Sequence, residues 1–150
     1  MTSILRMRPI VRNDLGSGCW FPEKELTRAI IGAFFLVYNK LGYGFLESVY
    51  AGALESVLTK AGHCVAREVR VPIYFDDEII AHQRIDMIVD GKVIVELKAT
   101  ELLARIAEPQ LLNYLRATNL EVGLLLHFAP DRARVKRCAA RNNRSGKPTH

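Results

Sequence analysis

One short segment, "VIVELK" (Val93–Lys98), restricts what this 150-residue chain can form more than any other. It begins with three apolar β-branched residues, which is typical of a buried strand. The same run then carries Glu96 and Lys98. Residues two apart on a strand point to the same face. Charges on one face of a central strand are either paired or functional.

The segment before it, "IIAHQRIDMIV" (79–89), predicts a second strand, with Asp90 and Gly91 at the turn. A three-residue loop of residues 89–91, with Gly91 in a left-handed conformation, would pair residue 86 with 94. The two strands would then carry their charged residues on one face and their apolar residues on the other. The charged set is Arg84, Asp86, Glu96 and Lys98; the apolar set is Ile85, Met87, Val93, Val95 and Leu97. Asp86 and Glu96 would be diagonal neighbours, close enough to bind one ion.

The rest of the chain predicts helices and strands around this hairpin. Apolar residues at helical spacing indicate helices in 21–42, 45–62 and 108–118. Strand patterns occupy 68–75 and 121–129. The order α-α-β-β-β-α-β predicts an α/β (α+β-like) domain with a mixed β-sheet of about four strands flanked by helices.

Positive charge is concentrated at the two ends of the chain. The net charge is +5, but residues 131–150 carry five arginines and two lysines against one aspartate. We expect basic, disordered segments at 1–20 and 138–150 around a domain at 21–137. Arg141, Arg144 and Lys147 would bind phosphate backbones without sequence preference. The alternative is a solvated tail that only aids solubility.

The spacing of the cysteines and the length of the apolar runs indicate where in the cell the protein is located. The cysteines Cys19, Cys64 and Cys138 are odd in number and lack C-x-x-C spacing. A reducing cytoplasm is therefore expected, with Cys64 as a buried thiol. No apolar run approaches the length of a membrane span, and residues 1–14 lack the apolar core of a secretory signal. We predict a cytoplasmic protein without membrane contact.

Two carboxylates beside a lysine ammonium suggest a site for a hard divalent cation. Asp86 and Glu96 would bind Mg²⁺ or Mn²⁺, because oxygen ligands suit these ions. The ion would lower the pKa of a bound water, and Lys98 would orient that water or stabilise developing charge. The alternative is structural: Lys98 pairs with Glu96, or Arg84 with Asp86, as salt bridges on a solvated face.

Three motifs together resemble a known family. One motif resembles the D-x(n)-(D/E)-x-K core of the PD-(D/E)XK nuclease superfamily. It consists of Asp86, nine further residues and then Glu96-Leu97-Lys98. "GFLESVY" (44–50) is similar to the G-x-x-E-x-x-Y signature of the GxxExxY protein family, a branch of that superfamily. "QLLNY" (110–114) resembles the Q-x-x-x-Y element of exonuclease-like branches. The resemblance covers about residues 23–137.

The resemblance implies a restriction-endonuclease-like core and a set of site residues. Metal ligands would be Asp86, Glu96 and Glu47, and these three with Lys98 would form the catalytic set. Supporting residues would be Tyr50, Arg84, Gln110 and Tyr114. The pattern alone also allows plainer roles: the tyrosines as core residues and Glu47 as a charge that stabilises a helix start.

The resemblance implies a Mg²⁺- or Mn²⁺-dependent nuclease that hydrolyses phosphodiester bonds, in DNA rather than RNA. The alternative is a catalytically inactive module that binds nucleic acid or protein on the same fold. The complete Asp86, Glu96 and Lys98 set favours the enzyme, and the lack of a basic groove outside the tails favours the binding module. Nucleic acid is the expected partner; a homodimer and an unknown protein partner are left open.

Overall fold

A mixed β-sheet forms the centre of the computed structural model, which describes residues 21–141 and the backbone of Arg8–Pro9. The elements in chain order are β1 (Arg8–Pro9), α1 (Lys24–Leu41), α2 (Glu47–Lys60), β2 (Val65–Phe75), β3 (Glu78–Val89), β4 (Val93–Lys98), α3 (Ala107–Thr118), β5 (Val122–Phe128) and β6 (Ala133–Arg141). The strands lie in the order β1-β6-β5-β4-β3-β2. β4 and β5 are parallel, and the other neighbouring pairs are antiparallel. The predicted α/β fold with a mixed sheet is confirmed.

Helices cover both faces of the sheet because its central strands are apolar on both sides. Val93–Leu97 of β4 and all of β5 are buried. α1 and α2 pack on one face, where Phe34 and Leu54 meet the odd-numbered residues of β4. α3 packs on the other face against Ile94 and Leu125. α3 also supplies the crossover that a parallel pair such as β4–β5 requires. Within the described residues, no helix is both long and apolar enough to span a bilayer.

β6 is the strand that the sequence analysis missed. About four strands were predicted, whereas the sheet has five strands and the two-residue β1. Residues 138–141, which were assigned to a disordered tail, form the end of β6, and Cys138, Ala139 and Ala140 are buried. Arg8–Pro9, in the segment predicted to be disordered, pairs with β6. Alternating arginine and lysine residues on the exposed side of β6 hid its strand pattern.

The cysteine prediction is also wrong. Cys64 is exposed, and the buried thiol is that of Cys138. Burial raises the pKa of the Cys138 thiol to about 11. Arg144, Lys147 and the remainder of segment 142–150 lie outside the described residues.

The β3–β4 turn has the predicted conformation but a different register. Gly91 has the expected positive φ of 64°, and Asp90 shares the left-handed conformation with a φ of 53°. Val89 pairs with Val93, so the loop consists of residues 90–92 and not 89–91. The register differs from the prediction by two residues, an even number. Each side chain therefore keeps its predicted parity, but Asp86 comes level with Glu96.

The β2–β3 hairpin continues beyond the end of β4. Residues 74–84, here called the arm, are exposed at every position. The register places residue 84 level with Lys98, so the arm rises from the edge of the sheet where β4 ends. The arm carries Tyr74, Phe75, Ile79 and Ile80, each more than half exposed.

Candidate active site

Asp86 and Glu96 lie where β3 and β4 separate. The backbone ladder between these strands ends at Met87 and Val95, and Asp86 and Glu96 are the next facing pair. The N–H of Asp86 donates to Oε1 of Glu96 at 3.1 Å, and the N–H of Leu97 donates to Oδ2 of Asp86 at 2.9 Å. Each carboxyl group therefore accepts a hydrogen bond from a backbone N–H that no longer has a partner in the neighbouring strand. The two side chains are direct neighbours, closer than the predicted diagonal arrangement.

β3 rotates about its own axis at Asp86. Ile85, which precedes this point, therefore lies on the opposite face of the sheet from the one predicted. Ile85 was expected beside Met87, but it packs in the cluster under α3, whereas Met87 packs under α1 and α2. The neighbouring strand is irregular at the same level, where Glu68 has a φ of 51°. The register of β2 with β3 is the same on both sides of Glu68, so a left-handed backbone conformation, and not an inserted residue, accompanies the rotation of the chain. The sequence pattern alone does not indicate this rotation, because the alternation of residue types continues through it.

The pair of carboxyl groups holds a proton near neutral pH. Glu96 is only 5% exposed. Burial, the charge of Asp86 and a side-chain hydrogen bond with Asp86 raise its pKa to about 8, outweighing the Asp86 N–H and the charge of Lys98. Two carboxylates side by side repel each other, so one keeps its proton unless a cation replaces it.

Lys98 and Glu47 lie on opposite faces of the sheet near the carboxyl pair. Alternation along β4 places Glu96 and Lys98 on the face that α3 covers, together with Ile94. Glu47 is the first residue of α2, on the opposite face, and its Oε1 accepts the N–H of Ala99 at 3.3 Å. Glu47 thus contacts the end of β4, one residue beyond Lys98.

α3 brings its two predicted residues to the carboxyl pair. Tyr114 is buried, and Gln110 lies one turn before it on the same side of α3. Burial, followed by the charges of Glu96 and Asp86, raises the pKa of Tyr114. Tyr114 packs in one cluster with Ile85 and Ile94, so α3 covers the strand positions next to the carboxyl pair.

Tyr50 and Arg84 lie apart from the carboxyl pair. The Tyr50 hydroxyl donates to the carbonyl of Gly42 at 2.5 Å and accepts the N–H of Phe45. Its buried ring stacks on Phe128 at 3.9 Å. Tyr50 therefore anchors the loop before α2. Arg84 is exposed in the arm, and its guanidinium lies 3.5 Å from the Glu68 carboxylate.

A family model described as the PD-(D/E)XK nuclease superfamily matches residues 24–138, most of the chain. The chain belongs to the PD-(D/E)XK nuclease superfamily. The matched range includes Asp86, Glu96 and Lys98, which lie on the adjoining strands β3 and β4. Nuclease activity is therefore the activity that its family membership suggests.

The fold of the chain is also similar to that of a solved structure. This structure, "Crystal structure of SSO0001", matches with a TM-score of 0.50 and 23% sequence identity. The match covers 61% of this chain and 48% of the other, about half of that protein's length. No curated protein matches the chain.

In the part of the chain that the structure describes, no three side chains already form a metal site. Among residues 21–141, no three histidine, cysteine, aspartate or glutamate side chains converge as metal ligands. Asp86 and Glu96 come together, whereas Glu47 bonds to Ala99. A cavity of about 440 Å³ is lined by His63 and Asp90, among others, but it lies at the turn that precedes β4, away from Lys98.

Sequence reasoning missed one residue beside the site. His127 is buried on β5, level with Lys98 in the parallel ladder. Its imidazole bonds to the backbone of Thr100 at 2.7 Å. The four histidines of the sequence lack the spacing of metal ligands, and that criterion does not detect a histidine that acts as a hydrogen-bond donor. A histidine within the apolar run "GLLLHF" (123–128) was the signal that marked it.

Proposed function

We propose that this superfamily member is a Mg²⁺- or Mn²⁺-dependent nuclease that hydrolyses phosphodiester bonds in DNA. The observation that carries the proposal is the direct contact of Asp86 and Glu96 on the face that also carries Lys98. The family membership of the chain supplies the reaction class. The residue set supplies ligands and an ammonium for that reaction.

The carboxyl pair fits a hard divalent cation. Its donors are oxygens, which Mg²⁺ and Mn²⁺ prefer. The two groups share a proton because burial and their mutual repulsion outweigh the charge of Lys98. A divalent cation would replace that proton and supply more positive charge. Asp86 and Glu96 are the proposed ligands, and Glu47, the first residue of α2, stays the proposed third donor.

The bound ion would supply charge neutralisation at the phosphate and an acidified water. Lys98 is the proposed catalytic cation, because its ammonium would orient the attacking water or stabilise charge that develops on the phosphate. Tyr114 is proposed to position water or substrate with Gln110. Its raised pKa keeps the hydroxyl protonated, so that it can donate a hydrogen bond.

The finer parts of the proposal rest on the sequence. "GFLESVY" (44–50) supports membership of the GxxExxY branch, and in this geometry its tyrosine anchors a loop. Arg141, Arg144 and Lys147 are the proposed nucleic-acid contacts, and Arg84 is the proposed contact on the arm. A cytoplasmic location and a homodimer or other protein partner also belong to the proposal.

A panel of labelled substrates tests this function. Single- and double-stranded DNA and RNA are incubated with the full chain in Mg²⁺, Mn²⁺ or EDTA. We expect cleavage of DNA with either metal and none in EDTA. Preferential cleavage of RNA would correct the substrate, and cleavage in EDTA would contradict the metal.

A second candidate function, a binding module without catalysis, is favoured by the composition of the arm. The arm has four exposed large apolar residues and, at its tip, Asp76, Asp77 and Glu78. This acidic tip repels phosphate, whereas exposed apolar side chains suit a protein partner. If the chain cleaves no substrate with either metal, this function takes the lead. Concentration-dependent sedimentation of the wild type and of Phe75→Ser then tests whether a second copy occupies the arm.

A further inference from the structure

Within residues 21–141, only three polar or charged residues are buried: Thr27, Glu96 and His127. Thr27 bonds to the carbonyl of Lys24 in its own helix, and Glu96 belongs to the carboxyl pair. His127 is 2% exposed and has no place in the function proposed above. An imidazole enclosed in this way is destabilising unless it makes a specific hydrogen bond.

His127 makes that bond to the loop that follows β4. Its Nε2 lies 2.7 Å from the carbonyl oxygen of Thr100. A carbonyl can only accept, so Nε2 carries the hydrogen and donates it. Thr100 in turn uses its hydroxyl to donate to the carbonyl of Leu102 at 2.7 Å. His127 therefore holds the first turn of the loop against the neighbouring strand.

Glu47 holds the same segment from the opposite side. Its Oε1 accepts the N–H of Ala99, the residue that directly follows Lys98. Two side chains, one from α2 and one from β5, thus bond to the two residues after Lys98. Side chains thus give the end of β4 the hydrogen bonds that neighbouring strands would otherwise provide.

We propose that His127 is a positioning residue for Lys98, and that with Glu47 it fixes the strand end from which the Lys98 side chain projects. The catalytic part of this inference rests on the proposed function, in which Lys98 acts on the water or the phosphate. His127 lies level with Lys98 across the parallel ladder, so a shift of Thr100 is transmitted over only two residues.

If His127 had a purely structural role, its replacement would lower the stability of the whole sheet. Thr100 is an exposed residue, so we expect water to replace the imidazole as the donor to its carbonyl. Replacement of His127 by an apolar residue then leaves no buried acceptor without a partner. The expected effect is therefore on the position of residues 98–100 rather than on the stability of the whole sheet.

Amide hydrogen exchange of the full-length chain, followed by NMR, tests the positioning directly. In His127→Phe, exchange at Ala99 should rise about tenfold, as expected for the weakening of one hydrogen bond. Exchange at Ile94, in the same strand, is the internal reference for a general loss of stability. His127→Gln retains an N–H donor near the position of Nε2 and should restore the wild-type rate.

The Lys98 side chain provides a second readout that does not require activity. In protein with ¹³C-labelled lysine, the Cε signal of Lys98, identified by its loss in Lys98→Met, should shift in His127→Phe and return in His127→Gln. If His127→Phe fails to fold, His127→Asn serves instead, because its shorter amide cannot reach Thr100. Unchanged exchange at Ala99 together with an unchanged Lys98 signal would overturn the proposal.

Cleavage kinetics separate this inference from the proposed function. With an active wild type, His127→Phe should lower kcat about tenfold, with KM and Mn²⁺ affinity unchanged, and His127→Gln should restore kcat. An NMR change without any change in kcat would show that His127 orders the loop but does not position Lys98 for catalysis. If the wild type cleaves nothing, the nuclease proposal fails, and the two NMR readouts alone decide the positioning role.

Discussion

Replacing Glu96 with glutamine should stabilise the metal-free protein above about pH 4.5, and most at pH 8. The pKa of Glu96 is raised from 4.5 to about 8. Each tenfold change in proton affinity corresponds to about 1.4 kcal/mol, so a charged Glu96 destabilises the fold by at most about 5 kcal/mol. Glutamine carries no charge, and its amide oxygen can still accept the N–H of Asp86 at the same place.

The sign of the pH dependence follows from these two pKa values. Below pH 4.5 the carboxyl group is protonated in both the folded and the unfolded state, and it contributes no difference. Between pH 4.5 and about 8, the unfolded chain releases the proton while the folded chain keeps it, so wild-type stability falls as pH rises. Above about pH 8 the loss is complete. Because the charge and the hydrogen bond of Asp86 both raise the pKa of Glu96, Asp86→Asn should reduce the same dependence.

Urea unfolding in EDTA at pH 4, 6 and 8 measures this effect. The difference in unfolding free energy between Glu96→Gln and the wild type should be near zero at pH 4 and largest at pH 8. Glu78→Gln, the same substitution in the exposed arm, is the matched control and should show little difference at any pH. A difference that does not change with pH, or a less stable Glu96→Gln at pH 8, would refute the reasoning.

Three further predictions concern the metal, the packing of α3 and the end of the chain. Asp86→Asn should lower Mn²⁺ affinity at least about tenfold by calorimetry while the fold is kept, and equal binding would contradict the ligand assignment. Gly123→Val should destabilise the protein by about 1–3 kcal/mol in urea unfolding, because even a Cβ would lie 2.7 Å from Leu111 on α3; an unchanged midpoint would contradict this packing. Deletion of residues 142–150 should weaken DNA binding and flatten its salt dependence without loss of stability, whereas deletion of 138–150 also removes buried residues of β6 and should unfold the protein.

The sequence predicted the parts of the fold in which residue type and periodicity agree. The helices α1, α2 and α3 follow an apolar period of 3.6, β2 and β3 alternate with a period of 2, and β4 and β5 contain the continuous apolar runs of buried strands. β6 was missed because its outward positions are basic, and a basic C-terminal segment is also typical of a disordered tail. What distinguishes the two is the burial of Cys138, Ala139 and Ala140, which depends on pairing with β5.

The candidate site shows the same division. Parity along β3 and β4 predicted that Asp86 and Glu96 share a face, because a shift of two residues preserves it. Their direct contact depends on where the strands separate, and no local pattern encodes this. The role of His127 likewise depends on a loop carbonyl 27 residues away in sequence. Long-range hydrogen bonds of this kind are set by tertiary structure, which single-residue preferences do not describe.

The central claim is that Asp86, Glu96 and Lys98 form a metal-dependent nuclease site. Its most direct test is a comparison of DNA cleavage by the wild type and Lys98→Met, purified in parallel, in Mn²⁺ and in EDTA. We expect the wild type to cleave only with metal, and Lys98→Met to bind Mn²⁺ as the wild type does and to cleave nothing, because an ammonium acts on the water or the phosphate and does not ligate the ion. Equal cleavage by both proteins, or no cleavage by the wild type of any substrate with either metal, would contradict the claim.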